Sequence, residues 1–315
     1  MPKKGVFLDL SECNALGDTL CATAVLKKLY ESYESKIGVV SKYPDIFKNN
    51  PYVGENYHSD NINLDYLKSK FIVHNSFYNI GKKNEKGVEY KHNVMDIRQF
   101  HAVNLGFMLT KHEMELIYKP DQFQPIENIP EKYILIHPVQ NWASRTWSAE
   151  NWMRLTELLN NMGYAVVSIG KESSETGFFN VNKPTFNFEI TNGLNLMNKT
   201  DISQAWHLID KAEAFVTMDS GLLHLAATTK AYIIHLGSSI NPEFRKPYRD
   251  GMGMTIADRY SYVSGECKLL CASNMKYGVR EWGNIQGVPP LVGCLENKST
   301  YECHPTVEQV IEYIR

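Results

Sequence analysis

Apolar residues along this chain come in short blocks whose spacing alternates between that of a buried strand and that of a helix. Residues 5–10 (GVFLDL) have the length and composition of a buried strand, and a loop to Gly17 follows. Over 18–35, Leu20, Ala24, Leu29 and Tyr30 keep rough helical spacing, with Leu26 slightly off register, and 37–40 is a second short apolar run. A strand, a helix and a strand in succession imply a parallel sheet. The stretch 50–115 shows no clear period. Between 119 and 132 the sequence KPDQFQPIENIPEK holds three prolines and little periodicity, which is linker chemistry. Beyond it the alternation restarts. Strand 133–137, helix 149–161 with Ser148 as N-cap and Gly163 as stop, strand 165–169, helix 202–211, strand 214–218, helix 222–229 and strand 232–236 predict a second doubly wound sheet. The expected fold class is therefore α/β, with two domains, 1–125 and 126–315.

Composition narrows the picture. Lys and Arg number 33 against 35 Asp and Glu, so the chain has no broad field to hold nucleic acid or an anionic membrane. The opening Met1-Pro2-Lys3-Lys4 looks like a signal only briefly, because Asp9 and Glu12 break the apolar stretch behind it. No apolar run approaches the roughly 18 residues of a membrane span. The expectation is a soluble cytoplasmic protein with no transmembrane segment. Six cysteines in a reducing compartment argue against a disulfide scaffold, and four of them, Cys267, Cys271, Cys294 and Cys303, fall near the end of the chain.

In an open parallel sheet, ligands bind at the carboxyl ends of the strands, where helix N-termini point N–H groups at anions. The segment Met218-Asp219-Ser220-Gly221-Leu222-Leu223-His224 runs from a strand straight into a helix. Ser220 and Gly221 offer backbone N–H groups and a hydroxyl to a diphosphate, Gly221 lets the backbone come close, and His224 comes one helical turn later. The plainer alternative makes Asp219 a helix cap and His224 a core residue. The four late cysteines supply enough thiolates for one closed tetrahedral site, and the loop-like sequence between them needs a staple to hold a shape. Iron and zinc both suit such a finger, 267–303, and its role is structural because no coordination position stays open. Chance burial of four separate thiols is the alternative.

The D-S-G-x-x-H-L-A-A segment, followed by Leu236-Gly237-Ser238-Ser239 and Pro242, resembles the donor-site signature of the ADP-heptose heptosyltransferase family, glycosyltransferase family nine. Leu16-Gly17-Asp18, and Ile136-His137-Pro138 with Arg145-Thr146-Trp147, match in the same order. The resemblance implies a GT-B architecture, with two Rossmann-like domains facing a cleft: an N-terminal acceptor domain and a C-terminal domain binding a nucleotide-sugar. It implies transfer to an acceptor hydroxyl with inversion and without a catalytic metal. The resemblance makes Asp18, after Gly17, the general base, against the alternative of a helix-stabilising carboxylate. Arg145 is the cation for the departing diphosphate, where the family commonly has lysine, and its alternative is a solvated surface arginine. Ser144 adds a hydroxyl to the phosphates. Glu172, with Glu175 as fallback, matches the acidic residue that holds the ribose, and Gly237 belongs to the donor signature.

The tail from Cys294 through Tyr301-Glu302-Cys303-His304 to Val310-Ile311 resembles a narrower group, the bacterial autotransporter protein O-heptosyltransferases, which carry a four-cysteine iron finger. That implies a protein serine or threonine as acceptor. Three other readings stand beside it: a heptosyltransferase of the lipopolysaccharide core, a non-catalytic sugar-nucleotide sensor, and a metal-finger nucleic-acid-binding protein. The last draws on Lys82, Lys83, Lys86, Lys91 and His92, a run that usually marks a solvated loop.

Overall fold

The computed structural model describes residues 5–76, 96–139, 145–171, 186–237, 242–255, 258–265 and 304–314. The chain divides into two compact units. One comprises Met1–Gln122 and Pro247–Thr255, the other Phe123–Lys246 and Ile256–Arg315.

The first unit carries a four-stranded sheet built from β1 (Val6–Leu10), β2 (Ile37–Ser41), β3 (Val53–His58) and β4 (Ile72–Asn75), in the order β3-β2-β1-β4. Every pairing is parallel. The expected 18–35 helix is three pieces: α1 (Leu16–Cys21), a 3-10 turn Ala22–Val25, and α2 (Leu26–Tyr33). The interruption explains the off-register Leu26. A 3-10 segment turns about 20° more per residue than an α-helix, so four such residues rotate the faces of α2 by about 80° relative to α1. That rotation places Leu26 and Leu29 on the buried side of α2. The stretch 50–115 holds β3, β4, α3 (Leu64–Lys70, capped by Asn63) and α4 (Ile97–Asn104, capped by Asp96). Leu67 of α3 packs with Phe7, Val40 and Phe71 on one face of the sheet. Gly38 is the residue that admits Phe7, since a Cβ there would lie 2.3 Å from the ring.

Among the described residues the second unit holds six parallel strands: β5 (Tyr133–Ile136), β6 (Ala165–Gly170), β7 (Leu194–Met197), β8 (Ala214–Thr217), β9 (Ile233–Leu236) and β10 (Tyr260–Val263). Their spatial order is β10-β9-β8-β5-β6-β7. Counted within the unit this is 3-2-1-4-5-6, the Rossmann order, with its reversal between β5 and β8. Among the described residues the helices are α5 (Ala149–Asn161), α6 (Ile202–Lys211), α7 (Gly221–Ala226) and α8 (Val307–Ile311).

Alternation along the strands sorts the core into two faces. Ile134, Ile136, Val166, Val216, Ile234 and Leu236 pack against Trp152, Leu155 and Leu159 of α5 and Val307, Val310 and Ile311 of α8. On the opposite face Tyr133 Oη donates to the Leu208 carbonyl of α6 at 2.7 Å. Ser148 accepts from Asn151 N–H to cap α5, and Gly163 at φ +87° ends it. The Gly163 and Tyr164 N–H groups bond back to Asn160 and Leu159, the Schellman pattern. Among the described residues no helix is long and apolar enough to cross a membrane.

Candidate functional site

Ligands of a sheet in this order bind where the strand order reverses, because the loops after the two central strands leave in opposite directions and open a crevice between them. In the second unit those loops come after β5 and β8. The β5 loop begins with His137 and the β8 loop with Met218, Asp219 and Ser220, and all four residues are buried. His137 Nδ1 lies 3.0 Å from Thr217 Oγ1 and 3.2 Å from Ser220 Oγ. Burial pushes the His137 imidazole down to about 3, so the ring is neutral at ordinary pH. Its seat depends on Gly170 at the end of β6. That residue adopts φ +144°, and a Cβ there would come within 2.9 Å of the ring.

Ser220, not Asp219, is the N-cap of α7, its hydroxyl accepting from Leu223 N–H at 3.4 Å. Asp219 is instead the centre of an ion cluster. Arg245 Nε donates to its Oδ1 at 2.9 Å, and Arg145 Nε lies 3.4 Å from its Oδ2. Burial alone would raise the carboxyl; the guanidiniums of Arg145 and Arg245 outweigh it and hold Asp219 well below the usual carboxylate range. The Arg145 side chain is 11% exposed, so the alternative of a solvated surface arginine is overturned: its charge is turned inward toward Asp219. His224 is buried in α7 one turn after Ser220. Gly237 follows β9 directly, and a Cβ there would meet Tyr262 Oη and the Val263 carbonyl at 3.0 Å.

In the first unit the order also reverses, between β1 and β4, and Gly17 and Asp18 lie beyond the carboxyl end of β1 in the first turn of α1. The N-cap of α1 is Ala15, so Asp18 does not occupy the cap position. The backbone of this turn is pinned from α4: His101 Nε2 lies 3.0 Å from the Asp18 carbonyl, and His101 Nδ1 is 2.8 Å from Ser76 Oγ, just past β4. A carbonyl only accepts, so Nε2 carries the proton and Nδ1 accepts from the serine. Burial holds this imidazole at about 4, which keeps it in that neutral form. Cys13 Sγ donates to the Ser76 carbonyl at 3.7 Å and closes the loop after β1.

The structure thus brings together Arg145, Asp219 and Ser220 in one unit, with Gly221 and His224 on α7, and sets Gly17 and Asp18 in the other. Ser144, Glu172, Glu175, the basic run 82–92 and the four cysteines Cys267, Cys271, Cys294 and Cys303 lie outside the described residues. Among the described residues no group of three or more His, Cys, Asp or Glu is arranged to hold a metal ion. Sequence reasoning missed Arg245 and gave His137 and His101 no role. His137 was at least marked by its place between a strand and a proline; nothing local marks Arg245.

The family model described as glycosyltransferase family 9 (heptosyltransferase) matches residues 72–270. Lipooligosaccharide heptosyltransferase 2 of Haemophilus influenzae is 30% identical over 107 residues, which are 34% of this chain and 31% of its own length. The chain thus spans about a third of that relative. A family 9 glycosyl transferase from Veillonella parvula superposes with a TM-score of 0.62 at 14% identity, over 99% of this chain and 96% of the other. TibC of enterotoxigenic E. coli, an iron-containing dodecameric heptosyltransferase solved with ADP-D-beta-D-heptose, gives 0.59 at 14% identity, over 77% of this chain and 60% of its own. These likenesses carry the α/β, GT-B-like fold with its parallel sheets. The matched span exceeds half the sequence and contains Arg145, Asp219 and Arg245, and the chain belongs to glycosyltransferase family 9, the heptosyltransferases.

Proposed function

We propose that this protein is an inverting glycosyltransferase that moves heptose from ADP-heptose to an acceptor hydroxyl. The observation that carries the reading is the Asp219 ion cluster with Ser220 at the reversal point of a Rossmann-ordered sheet, the place where such folds bind nucleotides. Family membership and the ADP-heptose complex of TibC support the choice of donor.

The roles derive from the charge that moves. The acceptor oxygen attacks the anomeric carbon from the side opposite the diphosphate, its proton passes to the Asp18 carboxylate, and the bond from carbon to phosphate oxygen breaks with inversion. ADP leaves with added negative charge on its terminal phosphate, and Arg145 stabilises it without a divalent ion. Ser220 and Gly221 hold the phosphates, His224 and Gly237 line the donor site, and Gly17 admits the acceptor next to Asp18. Ser144 and Glu172 take the phosphate and ribose contacts that the family resemblance gives them.

For the acceptor we favour a serine or threonine of a protein. The resemblance of the cysteine-bearing tail to the autotransporter protein O-heptosyltransferases supports this choice, and the four late thiols suit the structural iron or zinc that the same resemblance implies. Transfer to a lipopolysaccharide core is the second reading, favoured by the lipooligosaccharide heptosyltransferase among the sequence relatives. The test is to incubate the purified protein with ADP-heptose and each acceptor class and weigh the products. Gain of heptosyl mass on a polypeptide is expected. Gain on the lipid core alone moves the acceptor, and no gain on either, with ADP-heptose bound, leaves a sensor and overturns the enzyme.

A further inference from the structure

We propose that His101 is a positioning residue for the transfer step: it fixes the first turn of α1 against the end of β1, and so sets where the Asp18 carboxylate meets the acceptor oxygen. The inference rests on Asp18 as the general base proposed above and adds a residue to that role.

The turn that carries Asp18 does little to hold itself. Helix α1 has six residues, too few to stand alone, and its N-cap Ala15 supplies no side-chain hydrogen bond. The restraint comes from other elements, through a series of contacts that returns to β1. Ser76, just past β4, donates its N–H to the Asp9 carbonyl at 3.0 Å. Its hydroxyl donates to His101 Nδ1 at 2.8 Å, in preference to the His101 carbonyl at 3.5 Å. The other ring nitrogen, Nε2, donates to the Asp18 carbonyl at 3.0 Å. That carbonyl also accepts the Ala22 N–H from within α1, so both of its lone pairs are used. Cys13 Sγ, in the loop between β1 and α1, donates to the Ser76 carbonyl. The N–H, hydroxyl and carbonyl of Ser76 therefore all serve to close this one loop.

Burial makes the arrangement stiff. His101, Ser76 and Cys13 are fully buried, whereas Asp18 is half-buried. A buried group that loses its partner finds no water in exchange, so breaking the series at one point frees the turn to move. The contact falls on the Asp18 backbone and not on its carboxylate, so His101 acts through the place of the base. A displacement of about 1 Å in a reacting group can cost about 100-fold in rate. A neutral imidazole suits the task because it accepts at one end and donates at the other. Two amides divide those functions. Asparagine at 101 puts an oxygen near the position of Nδ1 and keeps the Ser76 contact, but is too short to reach the Asp18 carbonyl. Glutamine puts its nitrogen near the position of Nε2 and keeps the Asp18 contact.

The test supplies the purified full-length protein with ADP-heptose and with the polypeptide and lipid-core acceptors together, and reads ADP release, so that it does not depend on which acceptor is used. ADP is titrated into the same samples. His101→Asn should lower kcat about 10- to 100-fold, while KM for ADP-heptose and ADP affinity stay within about threefold of wild type. His101→Gln should recover kcat to within about fivefold of wild type. A merely structural role would make the two amides alike and would move their rates with their denaturation midpoints. Should His101→Asn fail to fold, Ser76→Ala carries the test, with an expected fall in kcat of about 3- to 10-fold and ADP affinity preserved. Asp18→Asn is measured alongside. If Asp18→Asn is slow, then His101→Asn or Ser76→Ala at the wild-type rate, equal rates in the two amides, or loss of ADP affinity in step with kcat would overturn the role of His101 alone. Asp18→Asn at the wild-type rate, or a wild type that releases no ADP, would remove the general base and this inference with it.

Discussion

His101, His137 and His235 are each almost fully buried, and burial holds their imidazoles at about 4, about 3 and about 4, below the ordinary 6.5. The unfolded chain therefore binds protons at these positions that the native chain refuses, and stability rises with pH wherever the unfolded state holds more protons. Their stabilising contribution is whole above about pH 6.5 and is lost progressively as the pH falls through the folded values of about 4 and about 3. Chemical denaturation at a series of pH values should show the midpoint dropping over that window, with His101→Gln flattening part of the drop. A midpoint constant from pH 7 to 4.5 would contradict the neutral assignment of these rings. At this same scale the legibility of the site is uneven. Asp219, Ser220, Gly221 and His224 are close in the chain, and their strand-to-helix setting can be read from one short segment. Arg245 lies 26 residues from its partner Asp219, and Ser220 lies 83 residues from His137. Such pairings are made by the sheet, and no local spacing announces them.

Elements were legible in proportion to how completely they are buried on one side and how clearly they are punctuated. The α5 boundaries could be read directly, because Ser148 and Gly163 act on the backbone of their own helix. The strands β3 and β4 could not, since both are edges of their sheet and their residues are largely half-exposed or exposed. The break between α1 and α2 left a trace in the displaced Leu26, which a single-helix reading has no means to use. The small helix α8 matters more than its five residues suggest. Its Val307, Val310 and Ile311 complete the apolar face over α5, and the Pro305 carbonyl before it accepts from Trp147 Nε1 at 2.8 Å. Ile311→Ala should therefore cost about 2–4 kcal/mol, whereas Tyr313→Ala, at an exposed position, should stay within about 0.5 kcal/mol. Denaturation midpoints of the two variants check this, and equal effects would mean that α8 is only loosely applied to the core.

For the molecule as a whole, two parallel sheets were foreseeable because parallel strands are joined by helices, and the alternation of their two periods survives in the sequence even where single elements are lost. Pro247–Thr255 grouping with the first unit was not foreseeable. Tyr248 and Arg249 in that segment are buried, and the Arg98 guanidinium lies 4.6 Å from the Tyr248 ring centre, contacts that unite residues about 150 positions apart by a route the linear pattern does not record. The family match begins at residue 72, beyond Asp18, and the role of that carboxylate as general base is tested directly by its own substitution. Heptosyl transfer from ADP-heptose should be timed for Asp18→Asn beside a titration of ADP into the same protein. A fall in turnover of about 10²–10⁴-fold with ADP affinity preserved is the predicted result. Transfer at the wild-type rate, or loss of ADP binding in step with turnover, would contradict it.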